Sequence, residues 1–245
     1  RGLGDVYKRQ PYIARQVRVT VPVHLAPLSW TTFQLLEGKA PHHDGLFQNG
    51  VIDTPFVTLS IDDGLTLYDK TTNEAYEDFL RFEDRGDIGN EYIYFQPKGT
   101  EPIYAELTAY EVLENNASYA KILLKHDLTI PVSADEQLDA EQRGIIEFMN
   151  RKASRSEELT TIPLETEMTI FVDDPQIRFK TRFTNTAKDH RIRLLVKTHN
   201  TRPSNDSESI YEVVTRPNKP AASWENPENP QPVSYTHLRA HETSQ

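Results

Sequence analysis

The densest collection of chemistry-bearing side chains is the stretch FEDRGDIGNEYIYFQP, residues 82–97. There Glu83, Asp84, Asp87 and Glu91 surround Arg85 and two glycines, ahead of Tyr92 and Tyr94. Carboxylates accept hydrogen bonds from sugar hydroxyls, and an aromatic ring can stack on the face of a pyranose, so the stretch suits a polyhydroxylated ligand. The same residues also suit a salt-bridged loop on the rim of a sheet, and glycines flanking charges do not decide between the two. A retaining glycosidase pair needs its carboxyl groups roughly 5–5.5 Å apart, a separation that adjacency in sequence neither supplies nor excludes.

Other candidates carry less. His42, His43 and Asp44 are three potential metal ligands, but contiguous side chains diverge, and Pro41 and Gly45 mark a connecting loop. His237 and His241 have the spacing that puts two imidazoles on one helix face, yet they lie in a tail with no apolar periodicity. His190 and His199 fall at the two ends of a strand pattern. Ser29, Ser60 and Ser118 lack a nucleophile-elbow context, and no glycine-rich run could cradle a phosphate.

The elements that must position these residues are strands. Val17, Val19, Val21 and Val23 alternate with polar residues, and Thr31 to Leu36 is a second candidate. Val57, Leu59 and Ile61 alternate up to an Asp63-Gly64 turn, after which Leu65 and Leu67 continue, a hairpin pattern. Tyr92–Phe95, Ile103–Leu113, Tyr119–Ile130, Ile162–Val172, Gln176–Asn185, Arg191–His199 and Ile210–Thr215 read as further strands. Asp173-Asp174-Pro175 is the turn between two of them, with Ile177, Phe179 and Phe183 facing one way and Arg178, Lys180 and Arg182 the other. One stretch favours helix: Ser133 and Glu136 have capping-box spacing, followed by helix formers up to Gly144. About ten strands and at most one short helix predict a mainly β protein, a large antiparallel β-sandwich.

The chain has 245 residues, 27 Lys and Arg against 37 Asp and Glu, a net charge of −10 and no Cys. Disulfide scaffolds and thiolate metal sites are excluded. The acidic balance argues against nucleic acid or an anionic membrane as partner, and no apolar run is long enough to span a bilayer. The opening RGLGDVYKRQ and the closing VSYTHLRAHETSQ resemble translated sequencing-adapter read-through. The expected division is therefore residues 1–10 as tail, 11–50 as a small β segment or linker, 51–232 as the sandwich and 233–245 as tail.

The ordered succession of GVIDTPFVTLSIDDGLTLYDKTTN, FEDRGDIGNEYIYFQP, ETEMTIFVDDPQIRFKTRFTNTAKDHRIRLLV and SESIYEVVTRP closely resembles the C-terminal β-domains of glycoside hydrolase family 38. These are the zinc-dependent α-mannosidases, and the likeness is to the bacterial branch that includes mannosylglycerate hydrolases. The resemblance implies a galactose-mutarotase-like supersandwich that packs on an upstream barrel and helical segment and completes a pocket for a mannose-containing carbohydrate. Zinc and the reacting carboxylates of a retaining mechanism would lie upstream, so this chain alone would hold no metal and be inactive. Tyr92 matches a family tyrosine that reaches toward the sugar, and Arg216 matches a basic residue near the same pocket; Asp87 and Glu91 share the loop of Tyr92. The family's zinc region contains an HHD string, but the flanks of His42-His43-Asp44 disagree with it. The lack of Cys and of a visible secretory pattern makes the cytoplasm the expected location. The alternative is a freestanding carbohydrate-binding or aldose-epimerase-like sandwich, which needs a His/Glu pair facing one cleft, with Glu111, Glu167, His126 and His190 as candidates.

Overall fold

The computed structural model describes residues 23, 25–34, 38, 43–61, 64–90, 92–199 and 201–218. The chain divides into two compact units, Arg1–His42 and His43–Gln245. In the first, the described residues, among them Thr31 and Gln34, form no strand, and most of the valine-alternating stretch lies outside the described residues.

The second unit is antiparallel β throughout. A five-stranded meander runs β1 (Phe47–Gln48), β2 (Val51–Asp53), β3 (Val57–Ser60), β4 (Thr66–Asp69) and β5 (Glu74–Tyr76), each paired with its neighbour. Asn49 and Gly50, both at positive φ, close the first hairpin. Asn-Gly tolerates that geometry, so this meander starts a few residues ahead of the boundary expected at 51. Gly64, at φ +96°, begins the return to β4, as the Asp63-Gly64 pattern predicts, although Asp63 itself lies outside the described residues.

β6 (Arg81–Gly86) is the central strand of a three-stranded sheet between β7 (Ile103–Tyr104) and β12 (His190–Leu195). The longest strands, β9 (Tyr119–Pro131) and β10 (Leu159–Phe171), form the centre of a four-stranded sheet flanked by β8 (Glu106–Asn115) and β11 (Ile177–Arg182). A separate hairpin pairs β13 (Ser204–Ser209) with β14 (Glu212–Pro217).

The core follows from period two. On β9, Ala120, Ile122, Leu124, Leu128 and Ile130 are fully buried; on β10 the row is Ile162, Leu164, Met168 and Ile170. These rows form one apolar cluster with Ile52, Leu59, Ile61 and Leu65 around the meander, with Phe79 and Leu80 ahead of β6, and with Phe82 on it. Burial of each such Ile or Leu contributes about 1.5–3 kcal/mol. The cluster joins the faces of separate sheets, which is the predicted β-sandwich.

Several local expectations are corrected. Residues 82–86 are strand and not rim loop, whereas Tyr92–Phe95 is loop. The long strand expected over 103–113 breaks at Ala105, whose N–H donates to Phe82 O, so β7 pairs with β6 and β8 crosses to β9. Ile210 and Tyr211 form the turn before β14 and do not extend it. The helix α1 spans Glu136–Arg143, but its N-cap is Asp135; the Ser133 hydroxyl donates to Ala134 O, so no capping box forms. Among the described residues no helix is long and apolar enough to cross a membrane.

Candidate functional site

Strand alternation splits the predicted polar cluster between two faces of β6. Phe82, Asp84 and Gly86 point inward; Arg81, Glu83 and Arg85 point outward. The Phe82 ring meets the His126 ring edge-on at 5.3 Å. Asp84, 0% exposed, is held on both oxygens: Arg155 Nη1 lies 2.6 Å from Oδ2 and His190 Nδ1 2.6 Å from Oδ1. His190 Nε2 lies 3.0 Å from Asn185 Oδ1, an oxygen that also accepts the Ala187 N–H. Gly86 leaves room for this arrangement, since a Cβ there would approach Arg155 to 3.0 Å.

On the outer face Glu83, 2% exposed, gathers two guanidinium groups. Arg85 donates through Nε (3.0 Å) and Nη2 (3.3 Å), and the cross-strand neighbour Arg193 donates through Nε (3.0 Å) and Nη2. These donors hold the Glu83 carboxyl below its ordinary range against the burial that pushes it up. Arg191 stacks on Tyr94 with its guanidinium carbon 3.5 Å from the ring centroid, and Arg81 stacks on Tyr104 at the same distance.

Beyond β6 the chain folds into a narrow loop. Ile88 N–H donates to Phe95 O (2.8 Å) and Asn90 N–H to Ile93 O (3.0 Å). Asp87 Oδ1 accepts the N–H groups of Gly89 (2.9 Å) and Phe95 (3.1 Å), and Asn90 Oδ1 accepts those of Tyr92 (2.9 Å) and Ile93 (2.8 Å). Arg151 Nη1 donates to Ile88 O at 2.6 Å. Gly89 is required, because a Cβ there would fall 1.9 Å from Ile93 O. Ile88 and Phe95 anchor the loop in a second apolar cluster with Ala134, Leu138 and Ala153. Burial pushes the Asp87 carboxyl up while its two N–H donors pull it down.

The predicted site residues therefore separate. Tyr92 is at the tip of this loop and 84% exposed, free to meet a ligand. Asp87 supports the loop from beneath, so it positions Tyr92. Glu91 lies outside the described residues. Arg216 stands on β14 opposite Asn205, and no hydrogen bond or ion pair among the described residues joins it to the loop. The epimerase candidates do not converge: Glu111 and Glu167 both flank Leu123 on one face of the four-stranded sheet, while His126 belongs to the buried row of the other face, and His190 is committed to Asp84. Among the described residues no three His, Asp or Glu side chains are grouped to hold a metal ion. His42 is not described, and His43 and Asp44 are exposed.

Sequence reasoning missed Arg151, Arg155, Arg191 and Arg193. The alternation of HRIRLL is a signal that sets Arg191 and Arg193 on one strand face, but Glu83, the partner of Arg193, is 110 residues away.

A profile of the glycosyl hydrolases family 38 C-terminal domain matches residues 52–242. A protein of Halalkalibacterium halodurans named "Putative mannosylglycerate hydrolase" is 38% identical over 167 residues, 66% of this chain and 18% of its own length. The crystal structure of an α-mannosidase from Enterococcus faecalis V583 is 38% identical, with a TM-score of 0.72 over 79% of this chain and 22% of that protein. A second Enterococcus faecalis structure, of a glycosyl hydrolase family 38 protein, is 37% identical with a TM-score of 0.68, over 74% of this chain and 22% of the other. The chain thus spans about a fifth of the length of these relatives. It belongs to glycoside hydrolase family 38, and its antiparallel sandwich is that family's C-terminal domain.

Proposed function

We propose that this chain is the C-terminal β-domain of an α-mannoside hydrolase, and that it presents Tyr92 as one wall of the sugar pocket. The observation that carries the reading is Tyr92 itself: an 84% exposed aromatic ring on a loop whose backbone is fixed by Asp87, Asn90 and Arg151. Exposing a large ring forgoes its burial, and stacking on the apolar face of a pyranose recovers it. In this proposal the hydrolysis is retaining, a double displacement by two carboxyl groups of an upstream barrel that also binds zinc. Mannosylglycerate, the substrate in the name of one relative, is the substrate class proposed here, with the cytoplasm as the setting.

A chimera tests the reading: this chain replaces the corresponding C-terminal domain of the Enterococcus faecalis α-mannosidase, and turnover of an aryl α-mannoside is followed. The chimera is expected to be active, and Tyr92→Ala to lower kcat/KM by about tenfold or more, the scale of one lost aromatic contact. The 245-residue chain alone is expected to show no turnover; hydrolysis by it would refute the proposal.

A further inference from the structure

The four-stranded sheet ends in β8 on one side and β11 on the other, and among the described residues no further strand pairs with either edge. Its outward face carries charge in stripes. β8 presents Glu106, Glu111 and Glu114, β9 Lys121 and Lys125 with Asp127, β10 Glu165 and Glu167, and β11 Arg178, Lys180 and Arg182. The net sign alternates from strand to strand, and unlike charges meet across it: Lys121 reaches Glu114 at 2.8 Å and Lys125 reaches Glu111 at 3.2 Å, while Lys180 stands opposite Glu167 and Arg182 opposite Glu165. The series therefore ends in an acidic edge and a basic one. On the inward face the apolar rows run past their cover. Phe179 on β11 is 36% exposed, and Tyr110 and Val112 on β8 are 39% and 40% exposed, although all three share a face with the fully buried Ile122, Leu124 and Met168. Phe79 meets the Phe179 ring at 5.9 Å and Phe47 the Tyr110 ring at 5.8 Å, yet both rings stay partly in solvent.

We infer that this chain binds a second copy of itself head to tail, β8 of one copy adding to β11 of the next as a further strand of the sheet. The inference is independent of the sugar pocket. Four antiparallel strands leave their two edges running in opposite directions, so a copy set alongside in the same orientation continues the antiparallel ladder and keeps its apolar row on the same face. β11 offers an open edge. It pairs with β10 without a bulge, contains no proline and points no charge inward, so it lacks those devices that turn an edge away from a partner. β8 is irregular between Leu107 and Ala109 and between Val112 and Glu114, which leaves residues 109–112 as its regular run. Laid antiparallel on residues 179–182, that run sets Lys180 opposite Glu111, Phe179 opposite Val112 and Thr181 opposite Tyr110. Glu111 keeps Lys125 of its own copy and gains a second cation, while apolar groups close over one another on the inward face. Pairing of like edges is opposed, since β11 beside β11 sets Lys180 and Arg182 against their own kind, and β8 beside β8 does the same for Glu106 and Glu111. The two joined surfaces differ, so association continues beyond two copies.

Sedimentation velocity of the 245-residue chain tests the joint. At low salt the weight-average mass is expected to rise with protein concentration past that of a dimer, and to fall when about 1 M salt shortens the screening length to about 3 Å. Lys180→Glu and Glu111→Lys each set like charges across the joint, and each should weaken association about tenfold. An equimolar mixture of the two variants should restore it, because each then carries the charge that the other's edge requires. Lys188→Glu, the same change of charge away from both edges, should leave association as in the wild type. Circular dichroism accompanies each variant; if a reversal unfolds the chain, Lys180→Gln and Glu111→Gln read the same contact with a smaller loss. A wild-type chain that stays monomeric up to about 1 mM overturns the inference. So does a mass that stops at two copies, association indifferent to the charge reversals, or two folded variants that do not recover on mixing.

Discussion

The two faces of β6 use the same residue types to opposite ends. Inward, Asp84 is closed off by Arg155 and His190, with both oxygens engaged beside the apolar core. Outward, Glu83 is shared by Arg85 and Arg193, and Arg191 stacks on Tyr94. Inward, one carboxylate meets a guanidinium and an imidazole; outward, one carboxylate meets two guanidinium groups. The two lie one residue apart on the same strand, so charge density in the sequence does not distinguish them, whereas the alternation of side chains along the strand does.

The comparison can be broken most severely at Asp84. Asp84→Ala leaves Arg155 buried without its counter-charge and His190 Nδ1 without its partner, and a loss of about 3–5 kcal/mol is expected in urea denaturation. A loss below about 1 kcal/mol would show that the inner face is not held by this carboxylate.

Next comes His126, a polar group of the buried interior, 5% exposed with Nδ1 unpaired. Burial lowers its pKa from 6.5 to about 4. The unfolded chain therefore takes up a proton as pH falls below about 6.5, while the folded chain does not until about 4. Stability is full above pH 6.5 and drops by about 3 kcal/mol on the way down to 4. His126→Leu should remove this part of the acid sensitivity, seen as a flatter plot of unfolding free energy against pH.

The smallest effect sharpens the contrast. Arg191→Leu removes from the outer face a guanidinium whose Nε and Nη2 are buried without a hydrogen bond, so stability is expected to stay unchanged or to rise by up to about 1 kcal/mol, measured as a shift in urea midpoint. A loss of about 2 kcal/mol or more would mean that Arg191 is as structural as Asp84.

Much of the sandwich was legible because β9 and β10 alternate strictly, and a buried row at every second residue permits one register. The helix was legible up to Gly144 from its composition, but its cap was misplaced, since Ser133 and Asp135 both suit that role and the ladder around Ser133 decided the matter. β13 was missed because SNDSES has no apolar alternation; it is a strand through pairing with β14. Tyr92 stands out in the sequence as an aromatic among acids and glycines, and the structure leaves it exposed. The role of Asp87 was not, because its partners are backbone N–H groups, which every residue but proline carries. Arg191 escaped notice because the strand it pairs with, β6, lies more than a hundred positions earlier.

The loop bearing Tyr92 has a further consequence. Its shape is set by the side chains of Asp87, Asn90 and Arg151 and by the compulsory Gly89, none of which is the residue on display. Position 92 is thus a socket, in which Trp, Phe or His can be exchanged for Tyr with the frame intact. A library randomised there alone would vary selectivity among sugars with little penalty in folding yield.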